Sequence, residues 1–432
     1  MTPQVRPPTV DLTPLATTTG SMWRTLRRGG ARRPPLTPYG APVKFGGQGT
    51  RVLVSGGEYP GGLAAVRALR AAGYEPWVAD PTDGSYGALS RAAAGSVRVT
   101  DPRSDALSFA GELAKAASRL RVGAVLPGTE PALLALGEHR GLFAPEVAVG
   151  APPPELTIAA TDKQSLATRA VAAGFAVPPT ELITLDALRA GRAAPQYPVV
   201  VKPVRSELSG GGNGLRRFEV VQARNDRELI SALSDLPDRA GLVQPYMVGP
   251  IRTVNGVAWN GTIVAAVHKL ADRTWPLDCG VVCYARTVLA EPEVDRATRA
   301  LIADLGWSGL FNLQMISTGG KHYVIDLNPR IYHSLGLAVA AGANLPAIWT
   351  SLLLGHRPPY SGYRTGVRFR SEEDAMALWG TLVGGQHGAA LRGLVPYPNT
   401  AHAVLSLRDP APTLNILRRA VRVARRRTGP RS

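Results

Sequence analysis

Asn312-Leu-Gln314-Met315, followed across a glycine turn by Tyr323-Val-Ile-Asp326-Leu-Asn328-Pro-Arg330, is the stretch whose reading decides the fold. Side chains alternate between strand faces with period two, so Asp326 and Asn328 share one face while Ile325 and Leu327 go to the other. Gln314 lies in a second short apolar run, Leu310 to Ile316, and Ser317 to Lys321 with Gly319-Gly320 reads as the hairpin turn that sets the runs side by side. Carboxamides, one carboxylate and a guanidinium then border one cleft. Magnesium takes hard oxygen ligands and keeps water and substrate phosphate in its shell, so this set suits a nucleotide-bound metal. A half-buried hairpin with polar residues facing water has the same pattern, and only the neighbouring motifs weigh between the two.

Upstream, Tyr197-Pro-Val-Val-Val201-Lys202-Pro203 is a short β-branched strand ending in a lysine, and Ser209-Gly210-Gly211-Gly212-Asn213-Gly214 follows it. A lysine at a strand end can pair with phosphate oxygens, and a glycine run lets backbone N–H groups approach them with no Cβ in the way. No Gly-Lys-Ser/Thr closes the run, so it is not a P-loop. Earlier still, Thr161-Asp162-Lys163 precedes a helical pattern, Leu166 to Ala173, that ends at Gly174 and Pro178-Pro179. Asp162 suits the cap of that helix, with Lys163 either solvated or turned to a ligand.

In this order the pieces resemble an ATP-grasp domain. Asp162-Lys163, Val-Val-Lys202-Pro with the glycine run, the linker Leu242-Val-Gln244-Pro-Tyr-Met247-Val-Gly249, and Asn-Leu-Gln314 with Asp326-Leu-Asn328-Pro-Arg330 carry the likeness. The last block is most similar to the large subunit of carbamoyl phosphate synthetase, and the resemblance covers roughly residues 51 to 355. It implies an α/β protein: an ATP-grasp fold behind an N-terminal Rossmann-like parallel domain. It also implies ATP and magnesium, or manganese, as cofactors. Lys163 and Lys202 would contact the α and β phosphates, and the loop of Ser209, Gly210, Gly211, Gly212 and Gly214 would close over them. The backbone near Gln244 and Met247 would hold adenine; Gln314, Asp326 and Asn328 would hold the metal. Arg330 would steady the γ-phosphate or an acyl phosphate. Lys269, ending a strand from Trp259 to Val267, would assist, with His268 structural.

The chain departs from the family pattern in two places, the adenine linker and Asp326. No acidic residue follows the adenine linker at Gly249-Pro250-Ile251-Arg252, where the ribose hydroxyls are usually bound. Asp326 stands where glutamate is usual, and Gln314 is neutral. One motif carboxylate then faces the metal, so a nucleotide-binding regulator without turnover is an alternative, because family likeness does not fix function. A single module argues against carbamoyl phosphate synthesis itself.

Arg51-Val-Leu-Val-Ser55-Gly56-Gly57, then Gly61-Gly62, a helix Leu63 to Ala72 and Asp80, imitate a dinucleotide fingerprint without its glycine spacing. Strands around Val97–Val99 and Gly123–Leu126, with a helix from Ser104 to Leu120, complete a parallel unit. Its last strand runs into Pro127-Gly128-Thr129-Glu130, where Glu130 either faces an acceptor substrate or caps the next helix. The expected organisation is a basic, Pro-rich disordered extension over 1–50, a Rossmann-like domain over 51–155, a two-lobed ATP-grasp domain over 156–360 and a C-terminal region over 361–432.

The net charge of +17 would suggest nucleic acid if it were spread over the fold. It is not: residues 1–51 and 401–432 each carry eight basic residues and one acid, so the excess sits at the ends. Leu414, Leu417, Val421 and Ala424 recur at helical spacing among Arg418, Arg419, Arg422, Arg425, Arg426 and Arg427. Such a helix suits an anionic membrane surface or the body of the protein, and no aromatics interleave the arginines as single-strand binders require. Without a signal-peptide core or a long apolar run, the expected place is the cytoplasm, with the inner membrane face open to the tail. Cys279 and Cys283 lack redox or zinc spacing. The activity implied is carboxylate-amine ligation through an acyl phosphate, on small-molecule acid and amine substrates, with a homodimer allowed; a membrane-tethered interaction protein is the third reading.

Overall fold

A computed structural model of the chain describes residues 45–209, 214–277 and 280–416. The first sheet comprises β1 (Arg51–Ser55), β2 (Glu75–Asp80), β3 (Gly95–Arg98), β4 (Ala124–Leu126) and β5 (Ala148–Val149). All pairings are parallel, in the order β3-β2-β1-β4-β5. Helices α1 (Pro60–Ala71), α2 (Tyr86–Leu89), α3 (Ala106–Leu120) and α4 (Glu130–Glu138) connect the strands. Parallel strands covered on both faces become continuous apolar runs, and Val52-Leu53-Val54 is fully buried. The strand order reverses between β1 and β4, which opens a crevice at their carboxyl ends.

Two short helices, α5 (Pro154–Thr161) and α6 (Lys163–Ala172), lead to an antiparallel sheet. It has the order β10-β7-β11-β6, made of β6 (Glu181–Thr184), β7 (Val199–Lys202), β10 (Val221–Ala223) and β11 (Ala240–Pro245). With α7 (Leu185–Arg189) and α8 (Asp226–Ser234), it buries Ile183, Val199, Val201, Leu229, Leu233 and Val243. Alternation sends Val200, Lys202, Leu242 and Gln244 to the opposite face. A two-stranded ribbon, β8 (Glu207–Ser209) and β9 (Leu215–Arg217), projects from this lobe and carries the glycine run.

The third sheet has seven strands in the order β16-β15-β12-β13-β14-β17-β18. They are β12 (Ile251–Trp259), β13 (Thr262–Trp275), β14 (Val281–Thr287), β15 (Gly309–Thr318), β16 (Lys321–Asn328), β17 (Arg368–Arg370) and β18 (Thr400–His402). One face packs on α6 and α9 (Pro292–Asp304) through Val254, Leu313, Leu327 and Leu301. At one end of the other face, Val257, Val267 and Leu310 pack with Trp349 and with Val54 of β1, joining this sheet to the first domain. Helices α10 (Leu335–Ala340) and α11 (Leu345–Leu353) lie in that junction, and α12 (Asp374–Val383) and α13 (His387–Leu394) precede β18.

Two expectations are corrected. The run Trp259 to Val267 is not one strand: Asn260 and Gly261 take φ of 48° and 77°, the left-handed pair of a tight hairpin, so Trp259 ends β12. Strand β13 then runs on to Trp275, and Lys269 lies within it rather than at its end. The C-terminal region supplies β17 and β18 to the seven-stranded sheet. Of the C-terminal basic helix, a helical stretch at 410–416 is described, and Arg418 to Arg427 lie outside the described residues, as do 1–44. Among the described residues, no helix is long and apolar enough to cross a membrane.

Candidate active site

Strand register assembles the site. Thr253 on β12 stands opposite Lys269 on one side and Gln314 on the other, and Gln314 stands opposite Asp326. Directly opposed residues share a face, so Lys269, Thr253, Gln314 and Asp326 form a row across four strands. Two residues along each strand, Val267, Asn255, Asn312 and Asn328 form a second row on that face. Asn255 and Asn312 are buried, and Asn255 Nδ2 and Asn312 Oδ1 have no hydrogen-bond partner. Leaving buried polar atoms without a partner costs free energy.

A β-bulge sharpens the arrangement. Pairing passes from Gln314 opposite Asp326 to Met315 opposite Val324, leaving Ile325 as the extra residue. The carbonyl of Ile325 accepts from Lys202 Nζ at 3.4 Å, which ties the antiparallel lobe to the seven-stranded sheet at the cleft. Beyond the bulge, Asn328 Nδ2 donates to Asp326 Oδ2 at 2.8 Å and Arg330 Nη2 donates to Asn328 Oδ1 at 3.0 Å. Arg330 Nη1 also donates to the Ile331 carbonyl at 2.9 Å. The guanidinium, carboxamide and carboxylate are therefore held in one fixed chain.

Across the cleft, Asp162 Oδ1 accepts from the backbone N–H groups of Gln164 and Ser165, 3.0 and 2.8 Å away, and so caps α6. That cap places Lys163 as the first helical residue, buried, with its Nζ 3.2 Å from Ser206 Oγ. Lys269 is also buried; its Nζ donates to Ser334 Oγ at 2.8 Å and lies 4.7 Å over the Tyr332 ring. Among the described residues no carboxylate lies within ion-pair distance of Lys163 or Lys269. Burial pushes the Lys269 ammonium well below its ordinary pKa, and burial also lowers that of Arg330, against the pull of Glu130. Cationic groups held at this cost are suited to an incoming polyanion.

The remaining expected residues are spread around this core. Gln244 is half-buried on the Lys202 face of the antiparallel lobe, with Nε2 2.8 Å from Thr180 Oγ1, and Met247 is half-buried in the linker to β12. Ser209 ends β8; Gly210, Gly211 and Gly212 lie outside the described residues. Gly214 abuts the first domain: a Cβ there would come within 2.8 Å of the Arg103 carbonyl. That carbonyl accepts from Leu215 N at 2.7 Å, and the Arg103 guanidinium forks onto Glu207 at 2.9 and 3.3 Å. The ribbon is thus pinned to the first domain at both its strands. His268 faces the other way, 3.5 Å from Asp295 of α9. Cys283 is buried, and burial with the nearby Asp374 pushes its thiol up to about 12, while Cys279 is outside the described residues.

Sequence reasoning passed over Thr253, Asn255, Arg103 and Glu207. Asn255 left a trace, a carboxamide inside the apolar run Val254 to Trp259. Arg103 and Glu207 left none, being 104 residues apart.

A three-dimensional clamp of this kind, two lobes facing across lysines and a carboxamide-aspartate row, is the ATP-grasp fold. Residues 238–375 match the family model described as ATP-grasp in the biosynthetic pathway with Ter operon. The carbamoyl phosphate synthase large chain of Rubrobacter xylanophilus is 28% identical over 273 residues, covering 60% of this chain and 23% of its own length. The chain thus spans about a quarter of that curated relative. In structure it is similar to N5-carboxyaminoimidazole synthetase from Staphylococcus aureus, with a TM-score of 0.55, 13% identity and coverage of 76% and 83%. It is likewise similar to an L-amino acid ligase from Bacillus licheniformis, with a TM-score of 0.53, 15% identity and coverage of 71% and 74%. The fold is that of the ATP-grasp structures, and the match to the family model lies within its seven-stranded sheet and the segments around it.

Proposed function

We propose that the chain is an ATP-dependent ligase that joins a small-molecule carboxylate to an amine through an acyl phosphate, releasing ADP and phosphate. The observation that carries this reading is the meeting of Lys163, Lys202 and Arg330 with Gln314, Asp326 and Asn328 in one cleft between two lobes. A carboxylate oxygen is a poor leaving group as oxide, so phosphoryl transfer to the acid must come before the amine attacks.

The chain's own contribution is positional and electrostatic. Lys163 and Lys202 counter phosphate charge on the antiparallel-lobe side. Arg330, held by Asn328, faces the γ-phosphoryl and then the oxyanion formed at the acyl carbon. The glycine ribbon excludes water over the lifetime of the acyl phosphate. Gln244 and Met247 border the adenine.

The donor set fits magnesium or manganese. Gln314, Asp326 and Asn328 offer hard oxygens on one face, and no cluster of three or more acids, histidines or cysteines able to hold a metal occurs among the described residues. Asp326, Gln314 and Asn328 would hold a divalent ion there, one carboxylate with two carboxamides. When bound, the ion neutralises charge on the transferring phosphoryl group.

That single carboxylate also favours a second reading, a regulator that binds nucleotide and does not turn it over. An ADP-release screen with full-length protein, amino acids and amines in pairs separates the two. The ligase gives amine-dependent ADP and phosphate; a Mg-ATP thermal shift with no phosphate from any pair supports the regulator. Association of the arginine-rich tail with anionic membrane is a separate proposal, checked by co-sedimentation with anionic vesicles with and without residues 410–432. Equal binding by both forms removes it.

A further inference from the structure

Glu130 occupies a position the reaction outlined above leaves unused. It is the first residue of α4, yet it does not cap that helix: Thr129 Oγ1 accepts from Ala132 N at 3.3 Å and does so instead. The residue is buried, 7% exposed. Among the described residues its carboxylate makes no hydrogen bond and no ion pair, although Arg330 and Lys163 pull on it electrostatically from across the cleft and Glu207 and Asp326 repel it. Burial is the largest influence on this carboxyl and raises its pKa.

The backbone holds Glu130 at this point firmly. A Cβ on Gly128 would fall 2.0 Å from the Ser55 carbonyl, and Gly128 N donates to Ser55 Oγ at 3.0 Å, so the turn entering α4 is packed onto the end of β1. At the neighbouring helix, Gly61 leaves no room for a Cβ beside the Tyr332 carbonyl, 2.4 Å away, which seats the start of α1 on the segment just after Arg330. The carboxyl edge of the first sheet is thus fixed against the phosphate end of the cleft. In the adjoining loop Asp80 Oδ1 accepts from Gly57 N at 2.8 Å, and Glu58, half-buried beside Asp80, has its carboxyl pushed up to about 8 and so keeps its proton at neutral pH. A buried carboxylate that makes no ion pair, in the field of two cations it does not touch, is left to take a positively charged partner.

We infer that Glu130 is the acceptor-side catalytic residue: its carboxylate receives the ammonium group of the amine substrate and takes the proton that must leave before nitrogen can attack. This rests on the ligase reading. In the step, the ammonium gives one proton to Glu130, the freed nitrogen forms the C–N bond with the acyl carbon, and the C–O bond to phosphate breaks with its electron pair on the phosphate oxygen. A second nitrogen proton goes to the departing phosphate, which leaves as hydrogen phosphate, and Glu130 returns its proton to solvent. The acceptor class is therefore a primary amine that arrives protonated.

The test compares full-length wild type, Glu130→Gln and Glu130→Asp with Mg-ATP and an equimolar mixture of the twenty protein amino acids as carboxylates. One arm adds hydroxylamine, mostly uncharged at neutral pH and needing no base, and measures hydroxamate; the other relies on the amino groups of the mixture and measures ADP release. For Glu130→Gln, the ratio of amine-dependent to hydroxylamine-dependent turnover should fall about 100-fold at pH 7 and recover as pH rises toward the amine's own pKa. Glu130→Asp should regain part of the ratio. An equal loss in both arms, with Mg-ATP binding and melting temperature kept, would overturn the assignment, as would an unchanged ratio. Absence of hydroxamate and of ADP from the wild type refutes the ligase reading itself, and the inference with it.

Discussion

Asn328 uses both ends of its carboxamide, accepting from Arg330 and donating to Asp326. Its removal therefore frees the arginine and the aspartate together. Asn328→Ala is expected to lower turnover about 100-fold, the usual effect of losing one preorganised electrostatic contact, with a smaller loss in Mg-ATP affinity; ADP release and calorimetry on the same preparation measure the two. Glu58 allows a pH prediction. Its folded carboxyl is raised to about 8 from an ordinary 4.5, chiefly by burial and by Asp80. The fold therefore holds a proton that the unfolded chain has lost, and this stabilisation is full below the unfolded value and declines as pH rises from about 4.5 through 8. Melting temperature followed from pH 5 to 9 should fall more steeply for wild type than for Glu58→Gln; parallel curves would contradict it. At this scale the sequence was informative wherever period-two alternation applied, as at Gln314, Asp326 and Asn328. It was silent on Thr253 and Asn255, because only their pairing with β13 and β15 shows which way they face.

Elements are joined at the site by two tight turns and a bulge. Gly319-Gly320 was legible as a hairpin because two glycines accept the positive φ that such turns need, here 55° and 70°. Asn260-Gly261 carries the same signal but was absorbed into one long apolar run, which hid the β12–β13 hairpin and placed Lys269 at a strand end. Gly261→Val places a β-branched side chain at φ 77°, with its Cβ 3.2 Å from Ala303, and should cost about 1–2 kcal/mol or more of stability in urea unfolding. No loss would show that this turn adapts freely. The bulge at Ile325 left no mark in the sequence, since one extra residue in a strand alters pairing and not composition. It is nevertheless what frees a carbonyl for Lys202.

Over the whole molecule, the order of motifs and the confinement of positive charge to the ends were readable from residues close together in the chain. What joins the lobes was not. Arg103 and Glu207 form a forked, largely buried pair between the first domain and the ribbon that carries the glycine run. Arg103→Ala leaves Glu207 buried without its partner and loosens the ribbon, so Mg-ATP should dissociate about tenfold faster in stopped-flow displacement. Unchanged dissociation would detach the ribbon from nucleotide retention. Strands β17 and β18 were illegible because three-residue strands at a sheet edge owe their form to their neighbours. The account as a whole stands on a magnesium nucleotide held between lysines on one lobe and a carboxamide-aspartate row on the other. Isothermal calorimetry of Mg-ATP with the folded full-length chain and with Lys202→Ala tests it most directly. Saturable one-site binding by the wild type and its loss in the variant are predicted; no binding by well-folded wild type, or equal binding by both, would contradict it.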